Sequence, residues 1–271
     1  MRATTSQNRR YWIAGTAILA VAAGAFGLGR LYPPAGPSAG AIAAAQGYVE
    51  GVAGEEIPAS GRYVLVDAAS ARLFMIEDGR VRDTMRVIVG KPAAATPALR
   101  SALYYATLNP YWNVPFDLAQ RLIAPRVLKD GTAYLTERGY EIVSGFGANA
   151  QAISPGSVDW QAVASGEAKV HVRQRPGAAN SMGQMKFDVA NASGIYLHDT
   201  PNKDLFAKVE RNLSNGCVRL EDAPRFARWL LGKDAPLGTA TPEQHVALPG
   251  GVPITIAYLD ARAQMQVAGL Q

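Results

Sequence analysis

Cysteine is almost absent: Cys217 is the only one in 271 residues. That excludes an internal disulfide, a four-cysteine zinc site and an iron–sulfur cluster, and leaves the thiol as either inert filling or a reagent. Histidine is scarce too, and the spacing of His171, His198 and His245 matches no metal-ligand pattern, so neither a metal nor a cofactor is expected. Lys and Arg number 27 against 22 Asp and Glu, a mild excess with no basic run, so no nucleic-acid-binding arm is expected. The chain holds no internal repeat and neither an S-x-x-K nor a K-T-G motif, which removes one group of serine acyl-transfer enzymes. What remains, 48% hydrophobic and 18% charged, is a globular composition long enough to bury a core without covalent staples.

One long apolar run is present. Residues 11–28 read YWIAGTAILAVAAGAFGL, uncharged and near the length a helix needs to cross about 30 Å of hydrocarbon. Arg2, Arg9 and Arg10 precede it. The positive-inside bias then leaves residues 1–10 in the cytoplasm, makes residues 11–29 an anchor in the inner membrane, and exports the rest to the periplasm. A cleaved signal segment is the other reading, with Ala43-Ala44-Ala45 as its small-residue site, although the distance of that site from the apolar run favours the anchor. Residues 30–59 carry Pro33, Pro34, Pro37 and Pro58 among Ala and Gly and read as a tether. Export gives the cysteine a sharper meaning, because a lone thiol in an oxidising compartment has no structural partner and is open to damage.

From residue 60 the chain is written in strands. Residues 63–66, 72–76, 81–89, 103–108, 169–173, 185–189, 194–198, 217–220 and 252–259 are rich in β-branched and aromatic residues. Asp78-Gly79 between two of them is a hairpin signal, since both positions of a type I′ turn want positive φ. The fold class is mainly β, an antiparallel sandwich or barrel-like domain over residues 60–262, with residues 263–271 as a tail. Residues 117–160 interrupt it with helical spacing at Leu118, Leu122, Ile123 and Val127, broken at Pro125, and read as an inserted helical cap. A second helix over residues 223–231 has Asp222 as N-cap, Pro224 in its first turn and Gly232 as its stop.

Chemistry concentrates in two short segments. In Ser214-Asn215-Gly216-Cys217-Val218-Arg219-Leu220, alternation puts Cys217 and Arg219 on one face and Val218 and Leu220 on the other. Gly216 allows the close backbone approach of an acyl site with N–H donors. In Gly194-Ile195-Tyr196-Leu197-His198 the same rule puts Tyr196 and His198 together. A thiol with a free pKa of about 8.5 needs a basic neighbour to react, and an imidazolium can lower it to about 3.5–7.5. Of the three histidines, His198 is the best candidate, while His171 and His245 fit ordinary core or surface roles as well.

The sequence His198-Asp199-Thr200-Pro201, followed by Ser214-Asn215-Gly216-Cys217-Val218-Arg219, resembles the signature of the L,D-transpeptidases with a YkuD-type catalytic domain. Residues 109–115, Val172-Arg173-Gln174, Pro176-Gly177, Asn180, Gly183 and Lys186-Phe187 resemble the subgroup with a capping insertion. The family more often has His where this chain has Asn215. The resemblance implies that Cys217 attacks the diamino-acid carbonyl of a peptidoglycan tetrapeptide stem and expels D-alanine, with His198 as general base and acid. It implies that the backbone of Asp199 orients His198, and that N–H groups around Gly216 and Cys217 hold the oxyanion. The acceptor amine would come from a second stem, giving a 3→3 cross-link, or from a protein lysine. Water as acceptor would make the enzyme a carboxypeptidase. Arg219 could grip a stem carboxylate or pair with Glu221 or Asp222. Tyr196 and Trp112 could wall the cleft, and Asn215 lies beside it. Ser214 could bond His198 or cap a turn. A wall-binding protein without turnover is the non-enzymatic alternative, disfavoured by the presence of both Cys217 and His198.

Overall fold

The computed structural model describes residues 48–52, 55–147, 149–235 and 237–271. The expected cytoplasmic N-terminus and membrane segment lie outside them. Among the described residues no helix is long and apolar enough to cross a membrane.

The described residues open with β1 (Tyr48–Val52) and β2 (Glu55–Pro58), which pair antiparallel where the end of the tether was expected. Next come β3 (Arg62–Asp67), β4 (Arg72–Glu77), β5 (Arg80–Gly90) and β6 (Leu99–Leu108). Asp78 and Gly79 turn β4 into β5, both with positive φ of 53° and 70°. An excursion follows, comprising β7 (Trp112–Asn113), α1 (Phe116–Leu118), a π turn (Ala119–Ile123), α2 (Ala124–Asp130), α3 (Ala133–Glu137), β8 (Tyr140–Val143), β9 (Ala152–Ile153), α4 (Trp160–Ser165) and β10 (His171–Gln174). The chain then returns through β11 (Met185–Val189), β12 (Tyr196–His198), β13 (Asn212–Ser214), β14 (Val218–Leu220), α5 (Ala223–Leu231), β15 (Gln244–Ala257) and α6 (Ala261–Ala268).

Eight strands run in the order β5-β14-β12-β11-β6-β15-β3-β4, and a β4–β5 pairing closes them into a barrel, with β13 attached to β5. The barrel is not wholly antiparallel. β12 runs parallel to β14, β15 to β3 and β13 to β5. Alternation in sequence fixes which face a side chain occupies, whereas the direction of a neighbouring strand depends on the connection between them. Inside the barrel Leu73, Met75, Val87, Phe187, Leu197, Val218 and Leu220 form the main core, and α5 lays Phe226 against Phe187 with ring centroids 4.8 Å apart. Asp222 caps α5, its Oδ1 accepting the N–H of Arg225 at 2.9 Å. On the outer face, Ala263 and Val267 of α6 cover Ile57, Leu65 and Ile76. The expected C-terminal tail is therefore a packed helix, whose apolar stripe of two residues is too short to stand out in the sequence.

The excursion is a lobe with its own four-stranded sheet, ordered β7-β10-β8-β9, and its own apolar cluster including Leu118, Ile123, Val127, Leu135, Trp160 and Val172. It is wider than the expected cap, because β7 and β10 pair side by side at its base, Gln174 opposite Trp112. Pro125 does not end the helical run. The chain slips into a π turn in which the Ala124 N–H donates to Ala119 O, and α2 begins with the proline in its first turn, where no N–H is required.

Candidate active site

β12 and β14 are adjacent and parallel, with Leu197 opposite Val218 and His198 opposite Arg219. Leu197, Val218 and Leu220 point into the core, so Tyr196, His198, Cys217 and Arg219 are left on the opposite face. That face opens into a cavity of about 450 Å³ between the barrel and the lobe. The lobe contributes Trp112, Leu118, Leu122, Tyr134 and Tyr140, and burial pushes the Tyr140 phenol up to about 12.

The turn before Cys217 is held from several sides. Ser214 Oγ donates to Cys217 O at 2.6 Å and accepts the Gly216 N–H at 3.1 Å. Thr96 Oγ1 donates to Gly216 O at 2.7 Å. Gly216 has φ of +119°, and a β-carbon there would sit 3.3 Å from Ile195 Cδ1, so the position favours glycine on both counts. Ser214 thus caps the turn and does not bond the imidazole. The Gly216 N–H, expected as an oxyanion donor, is already taken by Ser214. Asn215 is exposed at the cavity rim.

His198 is 4% exposed, and its Nδ1 lies 2.5 Å from the carbonyl oxygen of Asp199. A carbonyl only accepts, so Nδ1 carries the proton and Nε2 is the basic nitrogen. Burial, reinforced by the positive charge of Arg219, holds the imidazole down to about 4. Burial also pushes the Cys217 thiol up, against the backbone N–H of Tyr196 and the charge of Arg219. The half-buried sulfur donates to Gly194 O at 3.8 Å. Instead of the expected thiolate beside an imidazolium, the resting pair is neutral on both sides, because desolvation outweighs the nearby charge.

The two carboxylates weighed as partners for Arg219 are used elsewhere. Glu221 pairs with Arg86, and Asp222 lies 3.6 Å from Arg225. Arg219 Nε is buried with no hydrogen-bond partner. Its guanidinium lines the cavity, and it forms no ion pair among the described residues. Tyr196 lies in the cavity wall with Lys186 Nζ 5.1 Å from its ring centroid. The other histidines are elsewhere: His171 sits between Phe116 and Phe146, and His245 Nδ1 bonds Thr107 at 3.0 Å.

Sequence reasoning missed Thr96, which braces the turn, and Lys203, whose Nζ donates to Asp199 Oδ1 at 2.7 Å. The four-residue spacing of Asp199 and Lys203 was the available signal for the second. Among the described residues no three His, Cys, Asp or Glu side chains gather as a metal site.

A family model described as the YkuD L,D-transpeptidase catalytic domain matches residues 61–254. A Haemophilus influenzae protein provisionally named an L,D-transpeptidase is 36% identical over 176 residues, which are 65% of this chain and 35% of that protein. The chain therefore matches about a third of that relative's length. Among solved structures, an L,D-transpeptidase from Mycobacterium smegmatis superposes with a TM-score of 0.37 at 14% identity, covering 76% of this chain and 64% of that one. L,D-transpeptidase 3 from Mycobacterium tuberculosis superposes with a TM-score of 0.37 at 12% identity, covering 73% and 61%.

Proposed function

The chain belongs to the L,D-transpeptidase family through its YkuD catalytic domain, and from that premise we propose that it remodels peptidoglycan stem peptides by way of a thioester on Cys217. The observation that carries this reading is that Cys217 and His198 line one cavity, with the His198 Nδ1 committed to Asp199 O and Nε2 left to take a proton.

In the proposed cycle Nε2 accepts the thiol proton as Sγ attacks the diamino-acid carbonyl of a tetrapeptide stem. Because the pair rests neutral, proton transfer accompanies attack rather than preceding it. The tetrahedral intermediate collapses by expelling the amine of D-alanine, which takes the proton from His198, and Cys217 is left as a thioester. An acceptor amine then attacks the thioester, His198 removes its proton, and the thiol is restored. With the Gly216 N–H committed to Ser214, oxyanion stabilisation falls to the Cys217 N–H, and one such donor is worth about 2.7–4 kcal/mol. Arg219, a cation on the thiol's face with no ion pair among the described residues, grips a stem carboxylate, while Trp112 and Tyr196 wall the peptide. The acceptor is an amine of a second stem or of a protein. The apolar run at residues 11–29 would anchor the domain in the inner membrane with its site in the periplasm.

Incubation with purified tetrapeptide muropeptides, read by mass, tests this. Loss of D-alanine with a thioester on Cys217 is expected, absent in Cys217→Ala and nearly absent in His198→Ala. Cross-linked dimers report transpeptidation, and trimmed monomers alone report the carboxypeptidase alternative. Normal stem processing by Cys217→Ala would overturn the assignment.

A further inference from the structure

The two ends of Asp199 do different things. Its carbonyl holds His198 Nδ1. Its carboxylate binds elsewhere, Oδ2 accepting the Gln184 N–H at 3.0 Å and Oδ1 accepting Lys203 Nζ at 2.7 Å. Lys203 Nζ also donates to Glu221 O at 2.9 Å and Leu220 O at 3.4 Å, the carbonyls at the end of β14. An ammonium has three protons, and here one goes to the end of β12 and two to the end of β14. The carboxylate's seat is closed from a third side by Gly183, where a β-carbon would lie 2.3 Å from Asp199 Oδ2 and φ is +64°.

β12 and β14 need such a fastener. Their ladder is short, Leu197 with Val218 and His198 with Arg219, and the chain between them detours through the 3₁₀ turn Lys203–Ala207 and β13. A parallel pair has no hairpin to set its register. We infer that Lys203 and the Asp199 carboxylate are positioning residues: their ion pair fastens the histidine's strand end to the cysteine's, keeps the Asp199 carbonyl on Nδ1, and so holds His198 in the tautomer that offers Nε2 to the cavity. The kinetic arm of the test below rests on the proposed function, and the spectroscopic arm does not.

The rival is an ordinary surface ion pair. The Lys203 side chain is 47% exposed, and an exposed i,i+4 pair contributes little to global stability. The two accounts therefore part at His198 rather than at the melting temperature. Groups that act on its titration are Arg219 from β14 and Asp199 and Lys203 after β12, while Lys186 lies at the paired position of β11 and Cys217 just before β14. Lys203 lowers the imidazole and Asp199 raises it, so removing the lysine charge moves His198 upward.

The chain has three histidines, which makes ¹⁵N-histidine labelling of the full chain directly readable. In the wild type His198 is expected as the pure Nδ1–H tautomer with a low titration midpoint. In Lys203→Met a tautomer mixture and a higher midpoint are expected, with Lys203→Arg restoring the wild-type spectrum. On stems, Lys203→Met should lower kcat about 10- to 100-fold with KM little changed, the loss expected of a misplaced base. Asp199→Asn keeps an acceptor for Gln184 and removes the charge, so it replaces Lys203→Met if that variant fails to fold, with the same tautomer mixture expected but a lower midpoint, because the carboxylate that raises the imidazole is gone. A His198 that stays the pure Nδ1–H tautomer in a folded Lys203→Met or Asp199→Asn protein overturns the inference whatever its midpoint, since the loss of a nearby charge alone moves the midpoint. A tautomer mixture in the variants, with a wild type that is itself inactive on every stem, leaves the inference standing and overturns the proposed function.

Discussion

Protonation at the site is set by burial more than by proximity. His198 is held down to about 4, so below its ordinary value near 6.5 the unfolded chain binds a proton that the folded chain refuses. The corresponding stability is present above pH 6.5, is lost as pH falls toward 4, and amounts to roughly 3 kcal/mol. His198→Gln should therefore show a flatter fall in denaturation midpoint between pH 6.5 and 4 than the wild type, as denaturant titrations across that range would reveal. Equal slopes would mean that the ring is solvated in the folded state. Arg219 raises the opposite question, since its Nε is buried without a hydrogen-bond partner and it forms no ion pair among the described residues. A hydrogen bond to a charged group is worth about 1.5–3 kcal/mol. Amidating the carboxylates of a tetrapeptide stem one at a time should then cost the wild type about ten- to a hundredfold in kcat/KM at one position. Arg219→Met should be indifferent to that same amide. Equal sensitivity in both proteins would remove Arg219 from substrate recognition.

At the scale of elements, Asp67 shows how a single acid joins parts of the chain. It is fully buried at the end of β3, and its Oδ1 accepts the N–H groups of Ala69 and Leu259, while Oδ2 accepts Ser70 Oγ and Gln264 Nε2. Asp67→Ala leaves the buried Leu259 N–H without its acceptor, at a cost of about 1–3 kcal/mol for that group alone. It should lower the urea midpoint and raise hydrogen exchange in α6 before the barrel strands exchange. This tie was illegible in the sequence, because Leu259 and Gln264 lie 192 and 197 residues from Asp67 in the chain. Local features were legible. The Asp78-Gly79 turn, the span of α5 with its Asp222 cap, and the placement of His198 and Cys217 on the face away from the barrel core all follow from spacing within a few residues. Pairing was not. Nothing near Leu197 or Val218 announces that their strands run parallel, and nothing in β4 or β5 announces that their pairing closes a barrel. Both depend on the path of long connections. For the same reason the neutral state of the thiol and imidazole was missed: it reflects desolvation by the lobe and the barrel together, which no window of sequence contains.

For the molecule as a whole, the question is what the lobe contributes. Its apolar cluster is distinct from the barrel's core, and its two ends leave the barrel from paired positions, Trp112 opposite Gln174. Across an antiparallel pair the two Cα atoms are about 5 Å apart, a gap that a two- or three-residue glycine linker spans with ease. Replacing residues 112–174 by such a linker should therefore leave a barrel that unfolds cooperatively, since Phe187, Leu197, Val218 and Phe226 keep their packing. The same cut removes Trp112, Tyr134 and Tyr140 from the cavity wall. Water then reaches the sulfur, the desolvation that pushes the Cys217 thiol up is relieved, and its titration should move back toward the ordinary range. With one cysteine in the chain, the pH dependence of iodoacetamide alkylation reads that titration directly. Stem turnover should move the other way and fall, because the peptide loses one wall of its cleft while the thiol becomes more reactive toward small reagents. A trimmed chain that alkylates faster and turns over more slowly would assign the lobe to substrate binding. One that folds but keeps full turnover would show that the barrel face alone holds the peptide.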